Sequence, residues 1–169
     1  MYYAAITEMT QMLRNVAGFL TAGKKHAEEL GFDVNNLLNA RLAPDQFALK
    51  RQIQIISDTS KFAAARLAGK EAPSWADDEE TYEELEARIE KSIAYLSDFT
   101  EGDFEGAADR RVTLGFMPGH YVVGGDYLVQ FAQPNFFFHV SLAYAILRHN
   151  GVPLGKRAYI GSMNFKPLE

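Results

Sequence analysis

The spacing of the apolar residues constrains this chain more than any other feature. Ile6, Met9, Leu13, Val16, Leu20, Ala27 and Leu30 advance by threes and fours, with one turn skipped around Gly23. Such positions share a face only in a helix, and Gly31 just beyond the last of them is a stop signal. The pattern returns at Leu49, Ile53, Ile56, Ala63 and Leu67, closed by Gly69, and again at Tyr82, Leu85, Ile89, Ile93, Leu96 and Phe99. These runs predict helices over 3–30, 44–68 and 79–98. Pro44 and Asp45 suit the first turn of the second, where a missing N–H costs little and a carboxylate meets the positive dipole end. Asp77-Asp78-Glu79-Glu80 reads as the acidic first turn of the third, with Thr81 and Glu84 spaced as a capping box.

Between Thr100 and Gln133 the periodicity changes. Gly102, Gly106, Gly115, Pro118-Gly119 and Gly124-Gly125 break up short β-prone runs, which predicts a hairpin-like insertion over 103–131. A fourth helix over 135–150 ends at Gly151 and is apolar nearly all round, as a helix buried on most sides is. Residues 152–169 read as an extended tail. The fold class is therefore mainly all-α: one domain over 1–169, an up-and-down four-helix bundle with a β-hairpin-like insertion before the last helix and an extended C-terminal tail.

Charge and composition narrow the partners. Against 17 basic side chains stand 22 acidic ones, a formal charge of −5 with no local basic cluster, so neither nucleic acid nor an anionic membrane is expected. The chain has no cysteine, which excludes disulfides and thiolate chemistry of its own. Met1 to Glu8 lacks the basic start and apolar run of a signal peptide, and no stretch nears about 18 uninterrupted apolar residues. A cytoplasmic location is expected.

Two segments carry a family resemblance. One runs from Ala40-Arg41-Leu42-Ala43-Pro44-Asp45 through Leu49 and Gln52 to Arg66-Leu67-Ala68-Gly69. The other runs from Asn135-Phe136-Phe137-Phe138-His139 through Ala143-Tyr144-Ala145-Ile146-Leu147-Arg148-His149 to Lys156. Together they resemble the bacterial domain-of-unknown-function family DUF1993, within the DinB/YfiT-like superfamily of metalloenzymes. The resemblance implies a four-helix fold, a homodimer and, from superfamily members of known activity, thiol-dependent transfer or isomerisation. It also implies a divalent metal held by three histidines, one on the second helix and two a turn apart on the last. Here the second helix has no histidine, and His139 is followed one turn later by Ala143. No metal is therefore predicted; zinc or nickel would be the ion if one bound.

The candidate pocket drawn from the residues consists of His26, Asp45, Gln52, His139 and Tyr144. No two of the four histidines are one turn apart, so a site must be assembled across helices. His139 on an aromatic helix reads either as a satisfied core histidine or as an acid–base group. Gln52, among Leu49, Ile53 and Ile56, needs a partner if buried, since an unpaired amide costs about 1–3 kcal/mol. Asp45, His26, His139 and Tyr144 are its candidates, and the alternative is that it reaches solvent. Arg41 and Asp45 are expected to pin the loop before the second helix, and Asp58 with Lys61 to form a surface pair. His149 belongs in the last helical turn and His120 in an exposed turn. Phe136, Phe137 and Phe138 with Trp75, Tyr121 and Tyr127 read as core or interface, or as the wall of an apolar pocket. Phosphate-loop and serine-nucleophile patterns are absent. Two functional classes follow: a small-molecule-binding or thiol-dependent transferase-like bundle, and a non-catalytic dimeric interaction protein whose polar cluster only fixes helix register.

Overall fold

The computed structural model describes residues 1–168. Helix α1 spans Tyr2–Leu30 and ends at Gly31, whose φ of 73° is the left-handed conformation that glycine adopts without strain. A 3₁₀ turn, Val34–Asn39, follows, capped by the Asp33 carboxylate on the Asn35 N–H. Helix α2 spans Leu49–Ala68 and closes at Gly69 in the same left-handed geometry. Its start lies five residues later than the sequence suggests. Pro44 and Asp45 belong to a turn in which the Gln46 N–H reaches the Ala43 carbonyl, and Arg41 donates to the Pro44 carbonyl rather than pairing with Asp45. Helix α3, Tyr82–Ser97, carries the expected capping box between Thr81 and Glu84. The acidic run before it is not helical: Asp77 to Glu80 lie in an extended strap, and Asp77 and Glu79 serve as counterions of Arg88.

After a short 3₁₀ turn at Glu101–Phe104, strands β1 (Arg111–Thr113) and β2 (Tyr121–Val123) form an antiparallel hairpin in the register Val112 opposite Val122. The insertion ends sooner than expected. Helix α4, Gly124–Asp126, passes through a π-helical stretch, Tyr127–Ala132, into α5, Gln133–His149. Amides of Gly124 and Gly125 donate to the Arg110 and Ala108 carbonyls, so the docked loop supplies partners that the two glycines cannot. The tail is not wholly extended either: α6, Lys156–Ile160, packs on α1, and Glu169 lies outside the described residues.

Cross-helix pairs fix the directions. On α2 and α5, Gln52 meets His139, Thr59 meets Asn135 and Arg66 meets Tyr127, so these helices run antiparallel. On α1 and α3, Leu20 meets Tyr82, and Tyr3 meets Phe104 beyond the far end of α3, again antiparallel. Along α2 and α3, by contrast, Lys50–Glu80, Ser57–Ser92 and Lys70–Asp103 ascend together. Glu8–Gln133 and Phe19–Tyr144 do the same for α1 and α5. The four-helix bundle thus interrupts simple alternation once, between α2 and α3, where residues 70–81 carry the chain back along α2. Trp75 holds that strap down, its ring centre 4.6 Å from the ammonium group of Lys61 on α2 and 4.6 Å from that of Lys91 on α3. Lys61 and Asp58 are no surface pair, because Lys61 is only 1% exposed and Asp58 also receives Arg88.

Candidate functional site

Gln52 sits in the first turn of α2 with no solvent exposure, and its amide is used from both ends. The Nε2 group donates to the Phe47 carbonyl at 2.9 Å, and Oε1 lies 2.6 Å from Nδ1 of His139 on α5. Because the Phe47 carbonyl only accepts, it fixes which end of the amide is NH₂. The oxygen therefore faces the imidazole, and Nδ1 must carry the proton. Burial, and secondarily the nearby Arg51 charge, lower the His139 pKa below its ordinary value of 6.5. The ring is neutral at physiological pH, with its lone pair on Nε2. Among the described residues no protein group hydrogen-bonds that nitrogen. Phe138 lies edge-on to the imidazole with centroids 5.1 Å apart, and both it and Phe47, whose carbonyl holds Gln52, are more than half exposed.

The other three members of the expected pocket lie elsewhere. His26 is in the last turns of α1, edge-on to Phe32 and beside Gly151, separated from His139 by a run of α5 about 15 Å long. Tyr144 follows His139 by five residues, about 140° around the helix, and packs against Phe19 of α1 and Tyr159 of α6. Asp45 is exposed in the turn before α2. The aromatic residues do not converge: Phe136 is core, Phe138 is exposed, and Trp75 is on the α2–α3 side. His149 ends α5, and His120 donates from Nδ1 to the Pro118 carbonyl in an exposed turn.

The metal implied by the resemblance needs imidazoles on both helices. Here α2 offers an amide, Gln52, and α5 offers Asn135 and Ala143 one turn to either side of His139. Among the described residues no three His, Asp or Glu side chains are placed to share an ion. The donor set does not fit a three-imidazole centre.

Sequence reasoning gave no polar role to the residues farther along the α2–α5 seam. Asn135 donates to the Thr59 hydroxyl at 2.8 Å, and Arg66 to the Tyr127 hydroxyl at 3.2 Å. Asn135 and His139 are four apart, so the helical period alone places both on the α2-facing side. On the opposite side of α2, Arg88 is nearly buried and gathers Asp58, Asp77 and Glu79 within 3.1 Å. No helix among the described residues is long and apolar enough to cross a membrane.

Comparison with known proteins agrees with this architecture. A crystal structure of a DinB family member protein from Shewanella denitrificans superposes with a TM-score of 0.94 at 40% identity, covering 98% of this chain and 95% of that one. No curated protein matches. The sequence pattern described as "Domain of unknown function (DUF1993)" matches residues 1–160, every helix included. The chain therefore belongs to the DUF1993 family and has the fold of a DinB family member.

Proposed function

We propose that this is a small-molecule-binding DinB-like protein of the cytoplasm in which His139 is the proton-accepting group and Gln52 its positioning residue. The observation that carries the reading is the chain of hydrogen bonds from the Phe47 carbonyl through Gln52 to Nδ1 of His139. It fixes ring orientation and tautomer together, which a general base requires. A ligand O–H or S–H would pass its proton to Nε2. The resulting imidazolium would keep Nδ1–H on the Gln52 oxygen while the ligand becomes the alkoxide or thiolate. A thiol is the substrate class that the superfamily resemblance suggests, and the exposed Phe47 and Phe138 rings suit its apolar part.

Side-chain nitrogen NMR across a pH titration, combined with thermal-shift screening of small thiols, tests this. The expected result is an unprotonated Nε2 with a midpoint below 6.5. A thiol should also raise the melting temperature of the wild type and fail to do so in His139→Gln. Protonation at Nε2 in the neutral ring, or equal shifts in both proteins, would sink the reading. Elemental analysis with melts in zinc, nickel and manganese belongs beside it. Stoichiometric metal that is lost in His139→Ala would replace it with a metal-centred one.

A second reading draws on a different observation: Phe47 and Phe138, neighbours of the Gln52–His139 pair in sequence, are exposed by 57% and 58%. On that reading the chain is a non-catalytic homodimer joined through these rings. Sedimentation decides, because Phe138→Asp should then yield monomers, whereas a monomeric wild type dismisses the dimer.

A further inference from the structure

A cavity of about 200 Å³ lies between α2, the π-helical stretch and the tip of the hairpin. Phe62, Phe116, Tyr127 and Phe131 give it aromatic walls, while Arg66, Thr59 and Asn135 supply polar groups. Phe116 and Phe131 pack at 5.5 Å, and Phe131 stacks on Tyr127 at 6.0 Å, so the hairpin tip and the helix close on one another.

Arg66 is the unusual member. Its guanidinium is partly buried, 4.7 Å from the Phe62 ring centre and 5.7 Å from that of Tyr127. Its one hydrogen bond goes to the Tyr127 hydroxyl, and no carboxylate lies within ion-pair distance among the described residues. The other arginines that are buried or half-buried are occupied. Arg51 pairs with Asp77, Arg88 with three carboxylates, and Arg110 donates to the Leu67 and Glu105 carbonyls. A guanidinium has five N–H donors, so four of those on Arg66 have no protein acceptor among the described residues. Partly desolvated cations are rarely left so, and the aromatic faces offset only part of the cost.

The neighbouring groups have capacity left as well. Tyr127 accepts from Arg66 and so has its own O–H to give, and burial raises its pKa and keeps that proton in place. Asn135 donates to Thr59, which leaves the Asn135 oxygen and the Thr59 proton free. The one carboxylate on the wall, Asp58, is already neutralised by Lys61 and Arg88. On its far side Arg66 also lines an open cleft of about 480 Å³ shared with Lys70, Arg110, Arg111 and Glu71. Lys70 is held by Asp103, but the two arginines leave that approach positive in an otherwise acidic protein.

We propose that this cavity binds a small organic carboxylate with an aromatic-sized apolar body. Its carboxylate takes the Arg66 fork with help from the Tyr127 and Thr59 hydroxyls, and its body lies between Phe62, Phe116 and Phe131. One planar guanidinium with aromatic walls matches a monocarboxylate; a phosphate dianion would leave charge unmatched and the walls unused. The site rests on residues other than the Gln52–His139 pair and does not depend on it.

Benzoate is the probe, with benzamide, acetate and inorganic phosphate beside it, using isothermal titration calorimetry and NMR shift mapping on the full chain. Saturable benzoate binding at millimolar concentration or below is expected, with shifts at Phe116, Tyr127 and Phe131. Benzamide and acetate should each bind at least about tenfold more weakly, and Arg66→Gln should lose at least about tenfold for benzoate. If Arg66→Gln does not fold, Phe116→Ala at the exposed hairpin tip serves instead. It should weaken benzoate about threefold and leave acetate unchanged. Absence of benzoate binding, benzamide or phosphate binding as tightly, or variants that match the wild type would each overturn the assignment.

Discussion

A buried imidazole that stays neutral influences stability with a definite sign. The folded pKa of His139 lies below the ordinary 6.5, so as pH falls the unfolded chain takes up this proton before the folded one does. The stability tied to His139 is thus fully present above 6.5 and is lost as pH drops through the lowered folded value. Thermal melts between about pH 8 and about pH 5 should show the melting temperature falling on the acid side. In His139→Gln, which keeps a polar group but cannot titrate, part of that fall should disappear; an unchanged slope would mean the imidazole is not held neutral. Gln52 was legible as an amide that would need a partner if buried, because it sits among Leu49, Ile53 and Ile56; that it is buried rather than solvent-facing is what the structure adds. Which partner it takes was not legible, because the choice depends on helix rotation and level. His139 faces α2, whereas Tyr144 is turned toward α1 and His26 sits at the other end of the bundle.

The helices themselves were readable where the apolar period is long and the caps are local. Gly31, Gly69 and the Thr81–Glu84 box each act within one turn, so sequence neighbours suffice to define them. Gly124-Gly125 misled for the opposite reason. Two glycines have poor helix propensity, and their helical geometry is held by carbonyls of Ala108 and Arg110, an arrangement that exists only once the hairpin loop has docked. Gly23 is the informative position in α1. It is a mid-helix glycine with ordinary helical geometry, so its absent side chain must serve packing, and a Cβ there would collide with the Tyr82 hydroxyl. That hydroxyl reaches past it to the Leu20 carbonyl at 3.0 Å. Gly23→Ala should therefore destabilise the protein by about 1–3 kcal/mol despite the better helix propensity of alanine. Tyr82→Phe in the same chain should restore part of the loss, a coupling that denaturant titration of the four-member cycle measures. Additive effects would show that α1 and α3 do not meet there.

Over the whole molecule, what escaped the sequence was direction. The amphipathic stripes identify four helices and say nothing of which neighbours run the same way. The parallel course of α2 and α3 emerges only from the ladder of Lys50, Ser57 and Lys70 against Glu80, Ser92 and Asp103. The strap that makes it necessary carries its own fastenings, Trp75 beside two lysines and the Asp77 and Glu79 carboxylates on Arg88. Its length has a consequence for how this chain tolerates change. Helix α2 has 20 residues and is about 30 Å long, while the dozen residues from Lys70 to Thr81 reach about 40 Å when fully extended. The slack amounts to about three residues. Adding a glycine-serine segment near Ala72 should cost well under about 1 kcal/mol, since loop-closure entropy grows only logarithmically with length. Removing four residues from the same stretch should abolish the native melt, because the start of α3 can no longer reach the start of α2. The crossing between α2 and α3 can therefore be lengthened at little cost but shortened by no more than about three residues, an asymmetric tolerance to insertion and deletion at that point.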